Sequence, residues 1–222
     1  MKGERNMTSM KTLSVVFSVM MLAFASWAGA QDLQDISLPA PRMEGGKPLM
    51  QALKERQTSR SFSTKKLPVQ VLSDLLWAAA GINRPDSGKR TAPSARNWQE
   101  VQVYAIMEDG AYLYDAKANI LKAIAKGDLR KLTGSQDFVA SAPLNLVFVA
   151  DTTRMKGSSA EDQALYMGAD TGFISQNVYL FCASEGLATV VRGMVNRKPL
   201  AKALNFPENI KIILAQTVGY PK

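Results

Sequence analysis

Histidine is absent from this 222-residue chain, and cysteine occurs once, as Cys182. Without imidazole there is no Ser-His or Cys-His nucleophile and no histidine acid–base pair. A lone thiol builds neither a disulfide framework nor a metal cage, so no metal site is read. What remains is carboxylate, lysine, tyrosine or arginine chemistry, or reactivity borrowed from an organic cofactor. Glycine-rich phosphate signatures are missing as well. Gly81 to Thr91 contains Gly-Lys-Arg-Thr, but six residues rather than four separate Gly81 from Gly88, and Arg90 stands where a P-loop needs Ser or Thr. No Gly-x-Gly-x-x-Gly run occurs, which leaves a Rossmann dinucleotide site without support.

Long apolar runs are scarce too. The run from Leu13 to Ala25 is too short to span a bilayer, which takes about 20 apolar residues. Lys2, Arg5 and Lys11 precede it and Ala28-Gly29-Ala30 follows, the pattern of a signal peptide over residues 1–30. The expectation is cleavage after Ala30 and an exported chain, periplasmic or secreted, with no stable membrane span. The net charge is +8, yet its basic residues are scattered singly and in pairs, as in Lys65-Lys66 and Arg130-Lys131. No basic helix or aromatic-interleaved strand face concentrates them, so the charge reads as a solvated surface rather than a nucleic-acid site.

With 46% hydrophobic residues the chain can bury a real core, and residues 47–222 amount to one domain. Residues 31–46, with Pro39, Pro41, Gly45 and Gly46, form an extended arm. It either packs along the body or a partner, or trails as a loose leader. Pro48 opens a short helix with Leu49, Met50 and Leu53 on its apolar face. Leu67-Pro68 opens a second, in which Val71, Leu72, Leu75, Leu76 and Ala79 recur at helical spacing until Gly81. Val101–Met107, Ala111–Tyr114, Ile120–Ile124, Pro143–Ala150 and Ile210–Val218 read as strands, with Pro143–Ala150 central because it is apolar almost throughout. Gly127–Ser141 reads as a polar helix. Glu161–Gly186 is the longest helix, and Gly168, Ala169 and Gly172 along it let another backbone approach, as at a domain centre or a dimer interface. Short strands mixed with helices in this order argue an α+β fold.

Two polar stretches stand out. Arg56-Gln57-Thr58-Ser59-Arg60-Ser61-Phe62 sets two guanidinium groups four residues apart with hydroxyls between them, a combination suited to an anion. Thr91-Ala92-Pro93-Ser94-Ala95-Arg96-Asn97-Trp98-Gln99 offers a hydroxyl, a guanidinium fork and two amides between an apolar helix and an apolar strand. The second stretch is open to two readings, a surface turn or a loop that grips a flat ring or a phosphate. Beyond them, Leu187 to Arg192 is an extended segment whose backbone can lie against a flat ring.

Taken in series, Arg-x-Thr-x-Arg-x-Phe at 56–62, Pro-Ser-Ala-Arg-Asn-x-Gln at 93–99, Asp-x-Gly-x-x-x-Gln-Asn at 170–177, Gly-Leu-Ala-Thr at 186–189 and Gly-Tyr-Pro at 219–221 resemble the nitroreductase family. The branch related to azoline-oxidising dehydrogenases looks closest. The resemblance covers nearly all of residues 31–222. It implies an α+β homodimer with a central, mostly antiparallel sheet flanked by helices and FMN at the subunit interface. It assigns Arg56, Thr58 and Arg60 of one subunit to the flavin phosphate and pyrimidine edge. Pro93, Ser94, Asn97 and Gln99 come from the other subunit, and Leu187, Ala188 and Thr189 present backbone near N5. Family members often continue past Gly-Tyr-Pro with basic residues that reach the phosphate. Here Lys222 takes that role, alone or with Arg192. The implied activity is hydride transfer through flavin N5 from a reduced donor, NAD(P)H among the candidates, to a small organic acceptor. The alternative is an exported flavin-binding protein without turnover.

Overall fold

The computed structural model describes residues 32–222, so the signal-peptide expectation falls on residues outside those described. Seven strands make up the main sheet: β1 (Ile36–Ser37), β4 (Val101–Ile106), β5 (Gly110–Asp115), β6 (Ile120–Lys126), β7 (Leu144–Asp151), β8 (Ala188–Arg192) and β9 (Ile210–Gly219). They lie in the spatial order β1-β6-β5-β4-β7-β9-β8, and every neighbouring pair is antiparallel. A small hairpin of β2 (Ile82–Arg84) and β3 (Lys89–Arg90) stands apart from it. Among the described residues four helices accompany the sheet: α1 (Leu49–Glu55), α2 (Val69–Ala80), α3 (Ala160–Glu185) and α4 (Arg197–Ala203). The α+β class and antiparallel sheet read from the sequence are what the chain adopts. None of the described helices is long and apolar enough to cross a membrane.

β7 is apolar from Leu146 to Ala150 because both faces of the sheet are covered. Its residues alternate, so Leu144, Leu146, Phe148 and Ala150 pack with Leu75, Leu76 and Ala79 of α2 and Ile174, Val178 and Cys182 of α3. Val147 and Val149 point the other way, into a second cluster with Leu200 and Leu204 of the α4 segment. Periodicity does not reveal α4. It carries Pro199 in its first turn, where a missing N–H costs no helical bond.

α3 is capped at both ends. The Ser159 hydroxyl accepts the Asp162 N–H at 3.0 Å, and Gly186 takes the left-handed conformation, φ 69°, that ends the helix. One side packs on α2, where Asn177 Nδ2 donates to Ala78 O at 3.0 Å, while Gln176 lies exposed. The other side is open and apolar: Leu165 is 61% and Phe173 47% exposed, with Gly168, Ala169 and Gly172 between them.

Residues 127–141 differ from expectation. They form two short 3-10 turns, Arg130–Thr133 and Asp137–Ala140, rather than one helix. The break is at Gly134, where a β-carbon would collide with the Arg192 guanidinium, and Asp128 holds Arg130 from the N-terminal side. The arm is bound to the body. Ile36–Ser37 pairs with β6, Ser73 and Asn119 donate to Pro39 O, and Arg42 donates through its N–H and Nε to buried Asp74 at 2.8 Å each.

Candidate active site

An open cleft of about 480 Å³ lies where the end of α3, the start of β8 and the segment after α1 converge. β8 is the last strand of the sheet, so the outward-facing groups of Thr189 and Val191 have no strand neighbour. The chain after α1 and the helix α3 supply partners instead. Ser59 N–H donates to Thr189 O at 3.0 Å, and the Tyr179 hydroxyl of α3 accepts the Val191 N–H at 3.1 Å. That hydroxyl also bonds Thr58 Oγ1 at 3.0 Å. Arg56 lays its guanidinium over the Tyr179 ring, 5.3 Å from the centroid. The segment 56–60 is thereby fastened to β8 through one tyrosine.

Arg56, Leu187, Ala188 and Thr189 line this cleft together with Tyr179, Lys54 and Pro221. The fold thus brings together most of the first and fourth sequence blocks. Thr58 is tied to the cleft through Tyr179, Arg60 is exposed four residues past Arg56, and Lys222 is exposed directly after Pro221. Phe62 bridges to Pro221, which seats the chain end beside the same segment. Lys47 caps α3: its Nζ donates to Ala183 O, its N–H to Ser184 Oγ, and it pairs with Glu55. It offsets the negative end of the helix next to the cleft.

Arg192 goes elsewhere. It lies at the far end of β8, 5% exposed, and donates to Thr133 O, Asn145 Oδ1 and Thr217 Oγ1 at 2.7, 3.0 and 3.0 Å. Burial lowers its pKa to about 10. Gly134 and the Phe138 ring enclose it, so a phosphate role for Arg192 is ruled out by packing.

The loop 91–99 is not part of this cleft. It sits against the first half of α3, where the Ala95 N–H donates to Asp170 Oδ2 at 2.9 Å and Trp98 meets Tyr166 edge-on at 5.8 Å. Asp170 and Tyr179 are nine residues apart in α3, about 13 Å along the axis at 1.5 Å per residue. The loop is wound tightly, with positive φ at Arg96, Asn97 and Gln99, and such strain gathers at functional sites. Ser94 Oγ accepts the Gln99 N–H at 3.0 Å. The Gln99 side chain accepts from Arg90 Nε and donates to Gly88 O and Asn97 Oδ1. Ser94 and Gln99 therefore shape the loop, while Pro93, Arg96 and Asn97 face outward.

The cleft fits a phosphorylated flat ring on its own chemistry. Its volume falls in the range of about 300–1,000 Å³ usual for small-molecule sites. A strand edge forms one wall, and Arg56 and Lys54 bring positive charge into it. Tyr179 and Lys54 escaped the sequence reading. Tyr179 sits at an ordinary helical position, two residues past Asn177, and only the packing of β8 against α3 reveals what its hydroxyl does.

The nitroreductase family model matches residues 53–220. The crystal structure of a nitroreductase-type protein from Ralstonia eutropha JMP134 is 42% identical, covers 87% of this chain and 92% of its own, and superposes with a TM-score of 0.82. A nitroreductase-type protein of Methanocaldococcus jannaschii is 28% identical over 170 residues, 72% of this chain and 85% of the relative. The Escherichia coli microcin synthetase McbBCD complex contains a chain with the same fold, at 16% identity and a TM-score of 0.65, covering 96% of this chain and 94% of that one. With the family model spanning residues 53–220 and a 42% identical structure covering 87% of the chain, the chain belongs to the nitroreductase family of flavin-dependent oxidoreductases.

Proposed function

We propose that this protein binds FMN between two copies of itself and passes hydride from a reduced donor to a small organic acceptor. The observation that carries the reading is the separation of two half-sites. Arg56, Thr58, Arg60, Leu187, Ala188, Thr189 and Lys222 gather at the C-terminal end of α3, and Pro93, Ser94, Asn97 and Gln99 lie beside its first half. Two copies packed antiparallel along the open face of α3 bring one copy's loop to the other's cleft. The apolar face of that helix, with Leu165 and Phe173, gives them a reason to meet. Leu49 and Met50 of α1, the helix packed against α3, add to it at 62% and 76% exposed.

The chemistry FMN supplies when bound is two-electron hydride transfer at N5. The chain's residues do the rest. Arg56 and Lys222, with the Thr58 hydroxyl, offer charge-assisted and neutral hydrogen bonds to the phosphate. Arg60 sets a positive charge at the pyrimidine edge, where negative charge gathers on reduction. The start of β8 holds a rigid edge against the ring, and the partner's Pro-Ser-Ala-Arg-Asn loop closes the other side and excludes water. Residues 1–30 direct the protein out of the cytoplasm in this reading, and its physiological donor is then a reductant present in that compartment.

The test is the visible spectrum of the purified protein with FMN, recorded anaerobically before and after NADPH or another two-electron donor. A bound flavin band that bleaches supports the oxidoreductase. A band that no donor bleaches supports the flavin-binding protein without turnover, and absence of binding refutes both. Arg60→Ala should weaken flavin retention or slow reduction; unchanged values remove it from the site.

A further inference from the structure

Glu100 immediately follows the loop 91–99, and its side chain is fully buried. Neither carboxyl oxygen has a hydrogen-bond partner among the described residues. The group facing it is another carboxyl, Asp170 of α3, itself 2% exposed. Asp170 is already engaged with the loop, since its Oδ2 accepts the Ala95 N–H. A cation nearby is Arg154, from the turn after β7, whose Nη1 donates to Gln99 O at 2.9 Å. Arg90 of the hairpin is spent on Gln99 Oε1 and Ala80 O. Asp151 meets Glu100 only through its N–H, donated to Glu100 O, and turns its carboxylate to Thr153 and Asn209.

Two buried carboxyl groups that face each other, with no protein donor to either Glu100 oxygen, are joined by a proton. We infer that Glu100 and Asp170 share one proton and act as a proton-dependent latch on the loop 91–99. Asp170 holds the loop at Ala95, and Glu100 holds it where the chain enters β4. With the proton in place the two anchors attract each other and the turn between them keeps its wound, positive-φ shape. When the proton leaves, two like charges face each other, and separating them draws Asp170 off the Ala95 N–H. Burial, and secondarily the Asp170 charge, raises Glu100 to about 7, so the latch opens near neutral pH. Arg154 limits the opening without closing it, since its guanidinium sits on the Gln99 carbonyl rather than between the carboxyls.

The latch concerns the loop itself; its effect on flavin rests on the proposal that this loop completes the flavin site. Both are tested together. Amide exchange of Ala95, expressed as protection relative to the free-chain rate at each pH, is followed by NMR from pH 5.5 to 8.5 in the protein without flavin. FMN affinity is followed over the same range. The latch predicts Ala95 protection that falls by up to about tenfold per pH unit as pH rises toward 7, the limit for one linked proton, and levels off above it. Glu100→Gln, which keeps the shape and a permanent donor toward Asp170, should give a flat and protected profile. Asp170→Ala, which removes the acceptor of the Ala95 N–H, should leave Ala95 weakly protected at every pH. Flat protection in the native protein, or an unchanged transition in Glu100→Gln, overturns the latch. A transition at Ala95 without one in FMN affinity upholds the latch and removes the loop from the flavin site.

Discussion

Replacing Tyr179 by Phe removes one oxygen from the joint between the cleft segment and β8. The hydroxyl accepts the Val191 N–H and bonds Thr58 Oγ1, while the ring, 7% exposed, packs against Arg56. Val191 lies in the outermost strand and its N–H faces away from β9, so without the hydroxyl it loses its partner in a partly buried position. Such a loss costs about 1–3 kcal/mol. Thr58 is exposed and water replaces its bond, so it adds little. The ring and its stack with Arg56 remain. Tyr179→Phe should therefore lower unfolding free energy by about 1–2 kcal/mol, with an unchanged urea m-value. Tyr179→Ala, which also empties the ring's space, should cost about 3–5 kcal/mol. Thr58→Val is the control and should stay within about 0.5 kcal/mol of the native protein. The reasoning is refuted if Tyr179→Phe matches the native protein, or if Thr58→Val loses as much as Tyr179→Phe.

Glu100 gives stability a sign with pH. Its folded value, about 7, lies above the ordinary 4.5, so between these the unfolded chain releases a proton that the folded chain retains. Stability from this group is full below about pH 4.5 and is lost as pH rises through about 7, on the order of 3 kcal/mol in all; the difference between native and Glu100→Gln urea curves measures it, and a constant difference across that window refutes it. Cys182 is fully buried and its thiol is pushed up by burial, so a thiol reagent at pH 8 should leave the native protein untouched and label one thiol per chain in denaturant. A β-carbon at Gly219 would stand 2.8 and 3.0 Å from the Pro143 ring, so Gly219→Ala should destabilise by about 1–3 kcal/mol through overpacking, read from thermal unfolding. Asp74→Ala removes the acceptor of both Arg42 donors and of Gln70 Nε2, and should expose the chain after Arg42 to trypsin at concentrations that leave the native protein intact.

How far the fold can be read from the chain varies with the source of the order. α2 is legible because Leu72, Leu75, Leu76 and Ala79 repeat with the helix and proline and glycine bound it. β7 is legible because burial on both faces makes the run from Leu146 to Ala150 apolar. α4 is not, since Pro199 and the surrounding lysines mask its single buried turn at Leu200. The segment 127–141 misleads because polar spacing suggests a helix, while the space at Gly134 belongs to Arg192, 58 residues later in the chain.

The same division runs through the site. The chain's chemistry alone, with no histidine and one cysteine, points to a borrowed cofactor, and the serial motifs at 56–62, 93–99 and 186–189 name the family. Local spacing carries that much because residue types and their order are properties of the chain itself. Which motifs share a cleft was decided by the tertiary structure. Ser59 reaches Thr189 and Tyr179 reaches Val191 because β8 is an edge strand with outward groups to satisfy. The loop 91–99 is held beside the middle of α3 by Asp170, and the burial that sets Glu100 against Asp170 arises only when β4 packs on that helix. Hydrogen-bond partners and desolvation depend on what the fold brings near, and no pattern within the chain records them.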